Sequence, residues 1–120
     1  MSKYIGHSEV HAFDKNCVVH FDENKNIVGT TVNTFLGVKI HYNSNREMVG
    51  NSNAAAAGSF VNYDNDNNIL GRTQPGLFSR IDYFDSDNKL IAHSEKGVGN
   101  SIVHYSDSAI DSILDILLFL

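Results

Sequence analysis

The stretch Val61-Asn62-Tyr63-Asp64-Asn65-Asp66-Asn67-Asn68-Ile69-Leu70-Gly71-Arg72-Thr73 decides how this chain is built, because it recurs. Blocks that align with it without gaps begin at Val19, Ile40 and Asp82, and a partial block begins at Val103, each 21 residues after the last. One column is aromatic throughout: Phe21, Tyr42, Tyr63, Phe84 and Tyr105. Two apolar columns follow, the second holding Val28, Val49, Leu70 and Ile91, then a small-residue column of Gly29, Gly50, Gly71 and Ala92. Two places on lies a hydroxyl column, Thr31, Ser52, Thr73 and Ser94. A fixed period of this length marks a supersecondary unit that buries its apolar face only by stacking on its neighbours.

Within a unit the pattern reads strand, turn, strand, turn. Val19-His20-Phe21-Asp22 alternates apolar and polar, as a half-buried strand does. Glu23-Asn24-Lys25-Asn26, Ser44-Asn45-Arg46-Glu47, Asn65-Asp66-Asn67-Asn68 and Ser86-Asp87-Asn88-Lys89 are turns, because Asn and Asp tolerate the left-handed region and bond their own backbone. A second connection is rich in small residues: Asn53-Ala54-Ala55-Ala56-Ala57-Gly58, Gln74-Pro75-Gly76 and Lys96-Gly97-Val98-Gly99. The spacing predicts an all-β fold, a twisted antiparallel meander of tandem hairpins that curls towards a barrel. A parallel β-solenoid with one coil per unit is the alternative. One domain of three parts follows: 1–17 a degenerate first unit, 18–107 the tandem array, and 108–120 a short apolar helix. Tyr4-Ile5-Gly6-His7-Ser8 matches the second half of a unit, offset by 23 residues. In the last part Ser108 is expected as N-cap, with Ile110, Ile113, Leu114, Leu117 and Leu118 at helical spacing. That face would serve as an internal cap or as an oligomer interface through which a homodimer forms.

The repeated His-Tyr-Asp and Gly-x-Ser elements stand here as His41-Tyr42-Asn43 with Gly50-x-Ser52, and as Asn62-Tyr63-Asp64 with Gly71-x-Thr73. In these the chain resembles tandem β-hairpin repeat proteins of bacterial (Firmicute) genomes. The resemblance covers about residues 18–107 and implies a fold, with no activity attached. A looser similarity to MORN repeats rests on one hairpin per unit, without their tryptophan pattern.

Composition narrows the function. The chain has 120 residues and a net charge of −5, with nine Lys and Arg scattered along it. A phosphate-backbone binder needs a basic face, so nucleic acid is excluded as the expected partner. No apolar run suits a signal peptide or a membrane span, so a cytoplasmic protein with no membrane partner is expected. The single Cys17 leaves no internal disulfide to form.

Four constellations carry chemistry. If Val19 and Phe21 face the core, then His20 and its equivalents His41, Asn62, Tyr83 and His104 form an outward polar column. This column is the candidate ligand or partner surface. Equivalent strands of a meander lie about 9.5 Å apart, which separates these histidines too widely to share a zinc ion. Asp22-x-Asn24-x-Asn26 and its repeats resemble the start of a calcium loop, yet lack its central glycine and distal glutamate. Cys17 with His11 and His20, or Ser94 with His93 and Asp82, offer nucleophile and base side chains that column membership already explains. The expectation is a non-enzymatic protein-binding module with no catalytic residue, metal or cofactor. As a type it compares with small acidic inhibitors of larger proteins, such as phage-encoded anti-defence proteins. A small-ligand or metal-binding module using the polar column, and a self-assembling structural protein, are the alternatives.

Overall fold

The computed structural model describes residues 2–120. Ten strands follow one another along the chain: β1 (Lys3–Val10), β2 (Cys17–Asp22), β3 (Ile27–Asn33), β4 (Val38–Asn43), β5 (Met48–Ala54), β6 (Phe60–Asp64), β7 (Ile69–Pro75), β8 (Ile81–Asp85), β9 (Leu90–Lys96) and β10 (Ser101–Ser106). Each pairs antiparallel with the next, and β1 also pairs with β10, so the meander closes into a barrel. This rules out the solenoid, whose strands would run parallel. Closure removes both edge strands and leaves no ladder unpaired.

The hairpins of the repeat are built alike. Asp22 Oδ1 accepts from the backbone N–H groups of Asn24 and Asn26, and Lys25 takes a left-handed φ of 67°. Asn43, Asp64 and Asp85 repeat this arrangement, with Arg46, Asn67 and Asn88 in the left-handed position. After each turn the register slips by one residue, leaving Val28, Val49, Leu70 and Ile91 as bulges. A bulge re-aims its side chain. Val28, Leu70 and Ile91 accordingly pack on the buried core, while Ile27, Met48 and Ile69 in the preceding column stay exposed.

The β1/β10 pair reproduces the same unit from two separate pieces of chain. Its register slips at Ile5, and Gly6 and Ser8 take the places that Gly29 and Thr31 hold elsewhere. The 23-residue offset reflects the longer β1–β2 loop, in which Cys17 N–H donates back to the Asp14 carbonyl.

The interior has three tiers. At the end bearing the Asn/Asp turns, the C-terminal segment enters the lumen as a 3₁₀ helix, Ile113–Phe119. The small-residue column makes room for it. A Cβ on Gly29 would lie 2.9 Å from Leu117, one on Gly50 2.9 Å from Leu118 and one on Gly71 2.9 Å from Phe119. The expected Ser108 cap is replaced by Ser112, whose hydroxyl accepts from the Leu114 N–H at 3.1 Å. The expected apolar face is also corrected. A 3₁₀ helix repeats every three residues, so Ile113, Ile116 and Phe119 are buried along with Leu117, whereas Leu114 is 58% exposed. Ile110 packs partly buried at the entrance, and Leu118 is half-buried. The segment is therefore an internal plug, and its apolar face is already covered.

Above the plug lies a polar tier and above that an open mouth. The aromatic column does share one environment, but on the outside: Phe21, Tyr42, Tyr63, Phe84 and Tyr105 are half-buried on the outer face. There the His7 ring stacks on Phe21 at 4.8 Å and the Arg72 guanidinium lies 4.5 Å from the Phe84 ring centre. The parity expected from the sequence is thus reversed, and His20 with its equivalents points into the barrel.

Candidate functional site

Each strand contributes one side chain to the polar tier. The odd strands supply hydroxyls (Ser8, Thr31, Ser52, Thr73, Ser94) and the even strands supply His20, His41, Asn62, Tyr83 and His104. All ten are buried. They alternate around the wall and bond to one another. Ser8 meets His20 Nδ1 at 2.6 Å, and His20 Nε2 meets Thr31 at 2.7 Å. Thr31 meets His41 Nδ1 at 2.8 Å, and His41 Nε2 meets Ser52 at 2.7 Å. Ser52 donates to Asn62 Oδ1 at 2.6 Å, and Asn62 Nδ2 donates to Thr73 at 3.1 Å. On the other side Tyr83 bonds Ser94 at 2.6 Å, Ser94 bonds His104 Nδ1, and His104 Nε2 bonds Ser8 at 2.6 Å.

One bond orients all the others. An amide oxygen only accepts, so the Ser52 proton goes to Asn62. His41 Nε2 must then donate to Ser52, which leaves Nδ1 to accept from Thr31. The same logic passes through His20 and Ser8 to His104, so all three histidines carry their proton on Nε2. The belt is a one-way relay of donors from Tyr83 through His104, His20 and His41 to Asn62. It ends where Thr73 leaves the ring and donates to the Phe119 carbonyl of the plug at 3.0 Å. Chains of this kind polarise cooperatively.

The electrostatics agree. Burial, then the neighbouring His104, His41 and Lys39, holds the His20 pKa well below its ordinary value. Burial and Lys39 bring His41 down to about 3, and burial with His7 brings His104 to about 3. Burial raises the Tyr83 hydroxyl. The belt is neutral at neutral pH. A hydroxyl stands between each pair of neighbouring histidines, and among the described residues no three His, Cys, Asp or Glu groups converge as a metal site.

The remaining candidates separate. Ser94 faces the lumen, whereas His93 sits on the outer side against Asp107 and Glu95, stacked 5.2 Å from the Tyr105 ring. Asp82 holds Arg80 at 2.7 Å. Cys17 and His11 line an outer groove, while His20 is inside the barrel. Burial and the nearby Asp14 raise the Cys17 thiol pKa, the opposite of activation. In the acidic turns the Oδ1 atoms of Asp22, Asp64 and Asp85 are each taken up by two backbone N–H groups.

No family model, curated protein or solved structure matches the chain.

Two features escaped the reading of the sequence. The first is a rim. In an up-and-down barrel all five odd-to-even connections emerge at one end, and four of them carry large exposed apolar side chains: Phe13, Phe35 with Leu36, Leu77 with Phe78, and Val98. Phe13, Phe35, Phe78 and Val98 are at least 95% exposed. Column alignment was the available signal. Phe35, Ala56, Leu77 and Val98 share one column, which composition alone reads as small-residue connections. The second is an inner cavity of about 200 Å³ at the level of the belt, walled by Val18, Ile81 and Ile102 and by Phe119 and Leu120 at the end of the plug, with Asn33 and Lys39 on the same lining. Lys39 precedes His41 by two, so it shares the inward face of β4.

Proposed function

We propose that this chain is a non-enzymatic protein-binding module whose working surface is the loop rim. One observation carries the reading: loops that differ in sequence place large apolar side chains at the same end, fully in water. Exposed apolar patches of this kind mark interaction sites. A built-in control separates this from loop geometry. The β5–β6 and β7–β8 connections share a backbone, with Ala57 at φ 57° and Phe78 at φ 56°. Alanines suffice for the first, so Leu77 and Phe78 are not needed to shape the second. A bulky residue held left-handed at full exposure also costs about 1–2 kcal/mol, which a purely connecting loop has no reason to bear.

Charge supports a protein over an anionic surface. The rim side of the belt holds four acidic residues (Glu9, Asp14, Asp82, Glu95) and four basic ones (Lys15, Lys39, Arg80, Lys96). The turn side carries the whole net charge of −5. A membrane-surface binder needs a basic excess beside its apolar contacts, and the rim has none. A small module with an apolar face and an acidic back suits the blocking of a larger protein's surface. The buried belt, in contrast, is not offered to a partner.

Photo-crosslinking residues placed at Phe35 and Phe78, against a control at Asp66 on the opposite pole, test this in the native host. A single partner of defined mass captured from both rim positions, and absent from position 66, is the expected result. Capture of only a second copy, partition onto vesicles, or equal yields from both poles would overturn it.

A further inference from the structure

The outer wall repeats one arrangement of three side chains and leaves it incomplete on β3. Along the wall a residue of one strand directly faces an aromatic of the next: His7 and Phe21, Thr30 and Tyr42, Asn51 and Tyr63, Arg72 and Phe84, His93 and Tyr105. In three of these pairs a flat, nitrogen-bearing group covers the ring. The His7 imidazole lies 4.8 Å from Phe21, the Arg72 guanidinium 4.5 Å from Phe84 and the His93 imidazole 5.2 Å from Tyr105. The residue two places on then accepts from that group: Glu9 from His7 at 2.9 Å, Gln74 from Arg72 at 2.9 Å and Glu95 from His93 at 3.1 Å.

Strand β3 keeps the position and loses the chemistry. Thr30 has no flat group to lay on Tyr42, and Val32 stands where the acceptor would be. A groove of about 640 Å³ opens there, with Val19, Ile27, Val32 and Tyr42 as its walls. Its polar side chains sit at the two ends, His11 and Cys17 towards the rim and Asn43, Ser44 and Arg46 towards the turns. Among the described residues no carboxylate lines it, and Glu47, next to Arg46 in the chain, is held by the Asn43 amide at 3.1 Å.

The contrast defines the occupant. Each filled unit holds an N–H donor and supplies an oxygen for it. The open unit offers a valine in that place and a guanidinium at the turn end, so it disfavours another cation. What fits is a flat apolar ring with an acceptor at one edge. Such a ring, seated on Tyr42, regains the stacking that the filled units already have. The planar fork of an arginine suits a carboxylate. The volume falls within the range of small-molecule sites.

We propose that the groove over β3 binds a small aromatic carboxylate, its ring on Tyr42 between Val19 and Val32 and its carboxylate towards Arg46. The site is independent of rim docking, because its ring contacts come from β2, β3 and β4 and not from the apolar side chains of the rim loops.

Cinnamate is the probe, with cinnamyl alcohol as its neutral match and cyclohexanepropionate as its hydrogenated one, titrated into the full chain by calorimetry and methyl NMR. Saturable cinnamate binding with ring-current shifts at the Val19, Ile27 and Val32 methyls is expected. Cinnamyl alcohol should bind several-fold weaker and cyclohexanepropionate at least tenfold weaker. Thr30→His combined with Val32→Glu rebuilds the pattern of the filled units, so it should close the groove and lower cinnamate affinity at least tenfold. Tyr42→Leu removes the stacking face and should give the same loss, which keeps the test open should the double variant not fold. Arg46→Gln should bring cinnamate down to the affinity of the alcohol and leave the alcohol unchanged. A Phe35→Ser, Phe78→Ser double variant should bind cinnamate as the parent does. No saturation at millimolar cinnamate, undiminished binding by the Thr30, Tyr42 or Arg46 variants, equal affinity for the hydrogenated acid, or shifts confined to the rim would each overturn the site and leave the rim reading untouched.

Discussion

The two ends of this barrel are made from the same repeat and treat apolar side chains in opposite ways. At the turn end, glycines admit Ile113, Ile116, Leu117 and Phe119 into the lumen, and the Asp-anchored turns outside are polar. At the loop end the polar belt closes the interior, and Phe13, Phe35 and Phe78 stand in water. Stability is therefore concentrated at one end and the most fully exposed apolar side chains at the other, although Ile27, Met48, Ile69 and Leu114 at the turn end are also partly in water. Stability and binding can then be altered separately, and substitutions at the two ends should differ accordingly.

The largest effect is expected at the plug. Gly71→Val would place its Cβ 2.0 Å from the Phe84 carbonyl and 2.9 Å from Phe119, at a φ of 156°. Loss of more than about 4 kcal/mol, seen as failure to fold or collapse of the thermal transition, is the outcome to look for. A variant that melts like the parent would show that the plug is not seated against this column.

Next comes the belt. His20, His41 and His104 are neutral in the fold and have depressed pKa values. Unfolded, each titrates near 6.5. Above that pH their titration leaves stability unchanged. Below it the unfolded chain takes up protons that the fold refuses until about pH 3, so stability falls, by up to about 1.4 kcal/mol per pH unit for each histidine. Urea midpoints measured from pH 7 to 4 should drop steeply, and His41→Asn should flatten the slope by about a third. A pH-independent midpoint would place these rings in water.

A smaller loss belongs to the turn end. Asp64→Ala frees the backbone N–H groups of Asp66 and Asn68 and should cost about 1 kcal/mol by chemical denaturation. The sign reverses at the rim. Phe78→Gly relieves a left-handed phenylalanine and should raise stability by about 1 kcal/mol, while Phe35→Ser should change it by less than about 0.5 kcal/mol. If Phe35→Ser destabilised as much as the plug variant, the separation of the two ends would fail.

Much of the frame was legible. The 21-residue period located the hairpins from β2 onwards, and the Asn/Asp clusters located the turns, because both depend on local backbone chemistry. The small-residue column was visible without its reason, since the carbonyl of the next strand and the plug, which a Cβ there would meet, come together only in the fold. The parity of the wall was misread. Alternation separates Val19 and Phe21 from His20, but it does not say which side is inside. Apolarity pointed to the rings, whereas the lumen took the set that could satisfy itself. The register supplies the reason: Ser8 pairs with His20, Thr31 with His41, Ser52 with Asn62, Thr73 with Tyr83 and Ser94 with His104. The rim and Lys39 left only a weak trace, because exposure and enclosure are properties of the closed barrel.

The sequence by itself determined the unit: two short strands, an Asp- or Asn-anchored turn, a bulge, and a glycine at a constant offset. These follow from φ/ψ preferences and hydrogen bonds within a few residues of each other. Only the tertiary structure decided that the units close on themselves, which face turns inward and what fills each end. Closure joins β1 to β10 across nearly the whole chain. It fixes the inner face because a closed wall has room for one row of side chains per tier. Histidines and hydroxyls can occupy that row only when all their neighbours are in place to complete the hydrogen bonds.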